Sequence, residues 1–130
     1  MVASMDKVRA LIVDDSAVMR KIIERCLRQA GVPLTTVLEA SNGDDALRVL
    51  SQNQVDIILS DINMPVMNGL EFVRRLPTVE NSRGVPVVMI TTEAGEAQVV
   101  EALSHGAKGY IRKPFTPEQV AEHVIPLLGG

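Results

Sequence analysis

Four short apolar runs and a more mixed fifth segment at 35–40 alternate along this chain with five stretches whose apolar residues recur every three to four positions. These segments fall at roughly 8–13, 35–40, 56–60, 86–91 and 108–112, the length of strands buried on both faces. The periodic stretches fall at roughly 16–30, 43–52, 68–76, 95–105 and 117–128. In the first of them, Met19, Ile22, Ile23, Cys26, Leu27 and Ala30 form one apolar face, while Arg20, Lys21, Glu24, Arg25 and Arg28 hold the other. Ser16 is a fitting N-cap for this helix, and Gly31 followed by Pro33 a fitting stop. The last helix starts as plainly. Thr116 and Gln119 make a capping box around Pro117, with Phe115 and Val120 at the two positions of a hydrophobic staple. Gly106 ends the fourth helix as Gly31 ends the first, and the stretch 77–84, PTVENSRG, is expected to be a flexible surface loop.

This alternation predicts an α/β fold, a parallel sheet with helices on both faces joined by right-handed crossovers. In such a sheet everything just past the carboxyl ends of the strands converges on one crevice. Four runs end on residues able to handle a phosphate: Asp14 and Asp15, Asp61, Thr91 and Thr92, and Lys113. Taken singly, each is more often a turn former, a cap or a solvated charge. It is their joint appearance at four strand ends that predicts a site.

Three crowded carboxylates repel one another unless a cation lies between them. An all-oxygen donor set suits Mg²⁺, whereas the two histidines and single cysteine are not spaced for zinc. Asp61 is then placed to act as a nucleophile that takes up a phosphoryl group. Lys113 offers a point charge and Thr91 a hydroxyl for the phosphate oxygens.

Composition narrows the field. The length of 130 residues fits one domain, and a net charge of -3 with no basic stretch argues against direct nucleic-acid binding. One Tyr, two Phe and no Trp leave little for base stacking or a flavin sandwich. Cys26 reads as a buried core thiol, and one cysteine excludes a disulfide framework, which fits a cytoplasmic location. No signal peptide is apparent, and no apolar run approaches the ~18 residues of a membrane span. Residues 1–6 read as a disordered lead-in, 7–128 as the single domain, and no output domain is expected after it.

The segments LIVDDSAVMRKII, ILSDINMPVMNGLEF, MITTEA and GAKGYIRKPFTPE resemble the receiver domain of two-component response regulators, especially the single-domain chemotaxis type. The resemblance covers residues 7–128. It implies a doubly wound (βα)5 flavodoxin-like sandwich with strand order 2-1-3-4-5, an order that periodicity alone does not supply. It further implies Asp61 as phosphoacceptor, with Lys113 and Thr91 on the phosphoryl group. Mg²⁺ would be held by Asp15 directly, by Asp14 partly through water, by Asp61 and by the backbone carbonyl of Asn63. A cis Lys113–Pro114 peptide is implied too. So is a switch in which Tyr110 moves inward when Thr91 is drawn to the phosphate. Asn63, Thr92 and Glu93 occupy positions that tune the lifetime of the acyl phosphate. Thr92 is larger than the residue often found there, and Arg112 puts a cation on the output face.

Three rivals are weaker. A phosphatase with an Asp nucleophile would need a second Asp two residues on, where this chain has Asn63. A flavodoxin-like carrier would need a phosphate loop where Asp14-Asp15-Ser16 stands. A degenerate adaptor would lack a core residue, and all five are present. The expected protein is thus a monomeric switch rather than a turnover enzyme. Its phosphodonor is a histidine kinase, and its effector a protein such as a flagellar motor switch component. The alternative is a phosphorelay intermediate that passes phosphate to a histidine phosphotransfer protein.

Overall fold

The structure is a computed structural model that describes residues 7–92 and 95–128. Strands β1 (Val8–Val13), β2 (Leu34–Ala40), β3 (Ile57–Ser60), β4 (Val87–Thr91) and β5 (Gly109–Arg112) alternate with helices α1 (Ala17–Gln29), α2 (Gly43–Gln52), α3 (Gly69–Arg75), α4 (Glu96–Ser104) and α5 (Pro117–Leu128). All strand pairs are parallel, in the order β2-β1-β3-β4-β5. Every expected element is present, shifted by at most one residue at either end.

Strand alternation sends neighbouring residues into opposite layers. Ala10, Ile12, Leu59, Ile90 and Ile111 pack with Ile23 and Leu27 of α1 and with Val120 and Val124 of α5. Leu11, Val13, Ile58 and Met89 pack with Leu50 of α2, Phe72 of α3 and Ala102 of α4. The inner strands β1, β3 and β4 are therefore buried on both faces, apart from Arg9, and read as apolar runs, while the edge strands β2 and β5 keep exposed residues such as Thr35, Thr36, Tyr110 and Arg112.

The helix ends follow the expected chemistry. The Met19 amide donates to the Ser16 hydroxyl at the start of α1. At its end the Gly31 amide donates to the Arg28 carbonyl and the Val32 amide to that of Leu27, with Gly31 at φ +93°. This is a Schellman closure, and it needs a residue that tolerates positive φ. Gly106, at φ +111°, closes α4 in the same way. At α5 the Thr116 amide donates to Gln119 Oε1 and the Gln119 amide to Thr116 Oγ1, completing the capping box.

Two expectations are corrected. Ile22 lies outside the core, 46% exposed. The sheet covers an arc of α1 centred on Ile23, Cys26 and Leu27, and Ile22 sits beyond its edge. The stretch 77–84 is not an unstructured loop. It forms 3₁₀ turns at Leu76–Thr78 and Glu80–Ser82, and the buried Ser82 hydroxyl donates to the Leu76 and Val79 carbonyls. The stretch stays at the surface, with Thr78, Glu80 and Arg83 exposed, but Ser82 and Thr78 side chains bond nearby backbone carbonyls and give it a defined shape. The lead-in 1–6 and Glu93 lie outside the described residues.

Candidate functional site

The carboxyl ends of β1, β3 and β5 set the site because parallel pairing aligns them. The Asp14 amide donates to the Ala40 carbonyl and the Asp61 amide to the Val13 carbonyl, which places both acids at one level across adjacent strands. On the far side, the Lys113 amide donates to the Thr91 carbonyl. Carboxylate oxygens of Asp14, Asp15 and Asp61 lie within 4.8 Å of one another. Asp14 and Asp61 are buried and Asp15 is exposed, so the cluster opens to solvent on the Asp15 side.

A cation already stands among them. Lys113 Nζ lies 2.9 Å from Asp14 Oδ2 and 3.4 Å from Asp61 Oδ2, relieving part of the repulsion that three carboxylates create. Asp61 Oδ1 accepts from the Ile62 amide at 2.7 Å, and Asp14 Oδ1 from the Ser16 amide at 2.9 Å. Burial nevertheless holds the Asp61 carboxyl above its ordinary range; Lys113 opposes this rise and the Asp14 charge adds to it. A carboxylate kept basic and partly desolvated is a better nucleophile than one in water. The same hard-oxygen cluster is able to bind a metal ion.

The remaining site residues follow from their strands. Thr91 is fully buried at the end of β4, and Thr92 after it is exposed. Asn63 is exposed two residues past Asp61. The Lys113–Pro114 peptide is cis, as expected. Tyr110 and Arg112 are exposed on one side of β5, while Ile111 between them is buried against α1 and α5. Tyr110, 40% exposed, thus stands in an outward position.

Reading along the chain missed three groups that shape the site. The two Asn-Gly pairs resemble turn signals, but each is an N-cap followed by the first helical residue. Asn42 Oδ1 accepts from the Asp45 amide and Asn68 Oδ1 from the Glu71 amide. The glycines permit close approach. The Gly69 amide donates to the Ile62 carbonyl, closing the loop that follows Asp61, and the Gly43 amide pins that loop through the Met67 carbonyl. A Cβ on Gly43 would stand 2.8 Å from Met67 Cγ. At the loop's tip the Met67 amide donates to the Pro65 carbonyl around Val66, whose φ of +68° is strained for a β-branched residue. The third group is Arg20, whose guanidinium reaches the Asp14 carbonyl. An Asn-Gly pair placed directly before a helical period is the signal that identifies the two glycines.

Residues 10–125 match the model of the response regulator receiver domain. A chemotaxis protein CheY homolog of Campylobacter jejuni is 42% identical over 122 residues, which cover 93% of this chain and 92% of the relative. Among solved structures, chemotaxis response regulator CheY4 of Vibrio cholerae superposes with a TM-score of 0.79 at 35% identity, covering 95% of this chain and 99% of that one. The receiver domain of a sensor histidine kinase of Pseudomonas aeruginosa PAO1, solved with a magnesium ion coordinated in its active site cleft, has a TM-score of 0.83 at 28% identity, covering 95% and 99%.

Proposed function

The chain belongs to the response regulator receiver family, the phosphorylation-activated switches that in chemotaxis carry a signal by protein contact, and from that premise we propose how its own residues perform the task. Asp61 accepts the phosphoryl group. One of its carboxylate oxygens forms a bond to phosphorus as the bond to the histidine nitrogen of a kinase breaks, leaving an aspartyl phosphate. Lys113, already within reach of Asp61, turns to a phosphoryl oxygen, and the Thr91 hydroxyl takes another. Asp14, Asp15, Asp61 and the Asn63 carbonyl make an all-oxygen set suited to Mg²⁺. When bound, that ion neutralises charge developing on the phosphoryl oxygens.

The observation that carries this reading is the convergence of three carboxylates and one ammonium from three different strand ends. Asn63 supplies no acid/base group two residues past Asp61, which supports a switch over a multiple-turnover phosphatase. Charge added at Asp61 draws Thr91, and Tyr110 follows inward from its exposed position, altering the face it shares with Arg112. Asn63, Thr92 and Glu93 set how long the acyl phosphate lasts. Among the described residues no helix is long and apolar enough to cross a membrane; a cytoplasmic location and a monomeric state are proposed from the kinship with chemotaxis receivers. The phosphodonor is a histidine kinase, and the effector we favour is a flagellar motor switch component. Rapid stoichiometric back-transfer to a histidine phosphotransfer protein would instead mark a phosphorelay intermediate.

The test is incubation with Mg²⁺ and a small acyl-phosphate donor, read by intact mass. A single phosphoryl adduct is expected, lost in Asp61→Asn and lost with a chelator. An adduct that persists in both overturns the proposal.

A further inference from the structure

We infer that Arg20 is a positioning residue for the metal-binding acids, acting through the peptide that joins Asp14 to Asp15. The inference rests on the reading of that pair as divalent-cation ligands and adds to it a group that touches neither ion nor phosphate. Side chains on a helix lean toward its N-terminus, so Arg20, in the first turn of α1, reaches back over the β1–α1 junction. Its Nη1 donates to the Asp14 carbonyl at 2.6 Å, and its Nε donates to Glu39 Oε1 at 2.8 Å. Glu39 lies in β2, paired beside Ile12 of β1, so the guanidinium is held from the neighbouring strand. The pairing is tight enough that Arg20, with help from Lys21 and against burial, keeps the Glu39 carboxyl below its ordinary range. The Arg20 side chain is 17% exposed.

The significance lies in how Asp14 and Asp15 differ. Every polar group of Asp14 is engaged. Its amide donates to Ala40, Oδ1 accepts from Ser16, Oδ2 from Lys113, and its carbonyl from Arg20. Asp15 is exposed, and its carboxylate makes no hydrogen bond or ion pair with the described residues. The direction in which Asp15 leaves the backbone is therefore set by the backbone alone. The Asp14 carbonyl and the Asp15 amide belong to one rigid plane. A donor that fixes the carbonyl fixes that plane, and with it the exit vector of Asp15. Arg20 thus orients the solvent-facing acid without contacting it.

Charge and geometry make opposite forecasts here, which gives the test its edge. A guanidinium near a cation site repels the cation, so deleting it should tighten Mg²⁺ binding if charge were its whole effect. A positioning role requires the reverse. Mg²⁺ alone is titrated by calorimetry into the unphosphorylated full chain, its Arg20→Ala and its Arg20→Lys variants. Amide spectra are recorded on each. Arg20→Ala is expected to bind Mg²⁺ about tenfold more weakly, the usual effect of losing a group that orients a ligand. Arg20→Lys keeps the charge but has a point donor in place of a planar fork, and cannot hold Glu39 and the Asp14 carbonyl together. It should also bind more weakly than the parent. The Asp15 amide, at the other end of the same peptide, should broaden in both variants while β4 and β5 amides stay in place.

Arg20→Ala that folds and binds Mg²⁺ as tightly as the parent, or more tightly, overturns the role. If Arg20→Ala does not fold, Arg20→Lys decides: parental affinity with a sharp Asp15 amide overturns it equally. A parent with no saturable Mg²⁺ binding brings down the reading of the pocket itself. Parental binding with unchanged variants brings down Arg20 alone.

Discussion

Gly69 presses its backbone against the carbonyl of Asp61, so closely that a Cβ at Gly69 would overlap the Asp61 carbonyl oxygen. The same Cβ would stand 2.9 Å from Ile62 Cα and from Met89 Cε. Two of these three obstacles are backbone, which cannot turn aside as a side-chain tip can. The first residue of α3 is therefore part of the wall behind Asp61. Gly69→Ala should destabilise the chain by about 3 kcal/mol, the upper range for overpacking, and should slow labelling of Asp61 by moving its loop. Denaturant unfolding and mass-detected phosphorylation check both. A variant with parental stability and labelling would mean that the loop shifts without consequence.

The buried position of Asp61 makes its charge a liability that Lys113 relieves only in part. Its folded carboxyl is raised above the ordinary value, so the folded chain holds that proton more tightly than the unfolded chain does. The associated stability is full below about pH 3.9, the unperturbed value, and is lost as pH rises through the raised folded value. Asp61→Asn removes this loss. Without divalent ions, Asp61→Asn should melt about 3 °C higher than the parent at pH 7, roughly 1 kcal/mol for a domain of this size. The gap should close as pH falls below about 4. A gap of the same size at both pH values would assign the effect to something other than ionisation.

Lys113 offsets two buried carboxylates at once. Replacing it with methionine keeps much of the volume and leaves both acids facing each other. Lys113→Met should cost about 3 kcal/mol at pH 7 in the absence of metal, as when one partner of a buried pair is removed. Millimolar Mg²⁺ should restore more stability to the variant than it adds to the parent. Thermal melts with and without Mg²⁺ measure the difference, and equal shifts in the two proteins would contradict the electrostatic account.

Tyr110 stands outward, 40% exposed, on the same side of β5 as Arg112. If its inward movement conveys phosphorylation, Tyr110→Ala should take up phosphate normally yet show the same effector affinity in both states. Binding measured with and without the acyl phosphate, on a motor switch protein, is the check. An unchanged ratio of affinities would remove Tyr110 from the switch.

Much of the architecture was legible because the physics behind it is local. Helices start where Ser16 and Thr116 satisfy free amides and stop where Gly31 and Gly106 accept positive φ. Strands buried on both faces have to be apolar throughout, so they stand out as runs. The acids and the lysine were legible as a set because a parallel sheet gathers the carboxyl ends of its strands. The stretch 77–84 misled because a polar turn that bonds its own backbone, as Ser82 does, has the same composition as a solvated loop. Ile22 misled because periodicity gives the direction of a helix face but not the width that the sheet covers.

By itself, then, the sequence determined the elements, their alternation and the acids and lysine that stand at the strand ends. Each depends on side-chain chemistry and on interactions within a few residues. Only the tertiary structure decided that Lys113 lies between Asp14 and Asp61, that Gly69 backs Asp61, and that Arg20 holds the Asp14 carbonyl. These contacts join residues brought together by packing, and each is a matter of ångströms between atoms whose spacing no local pattern encodes.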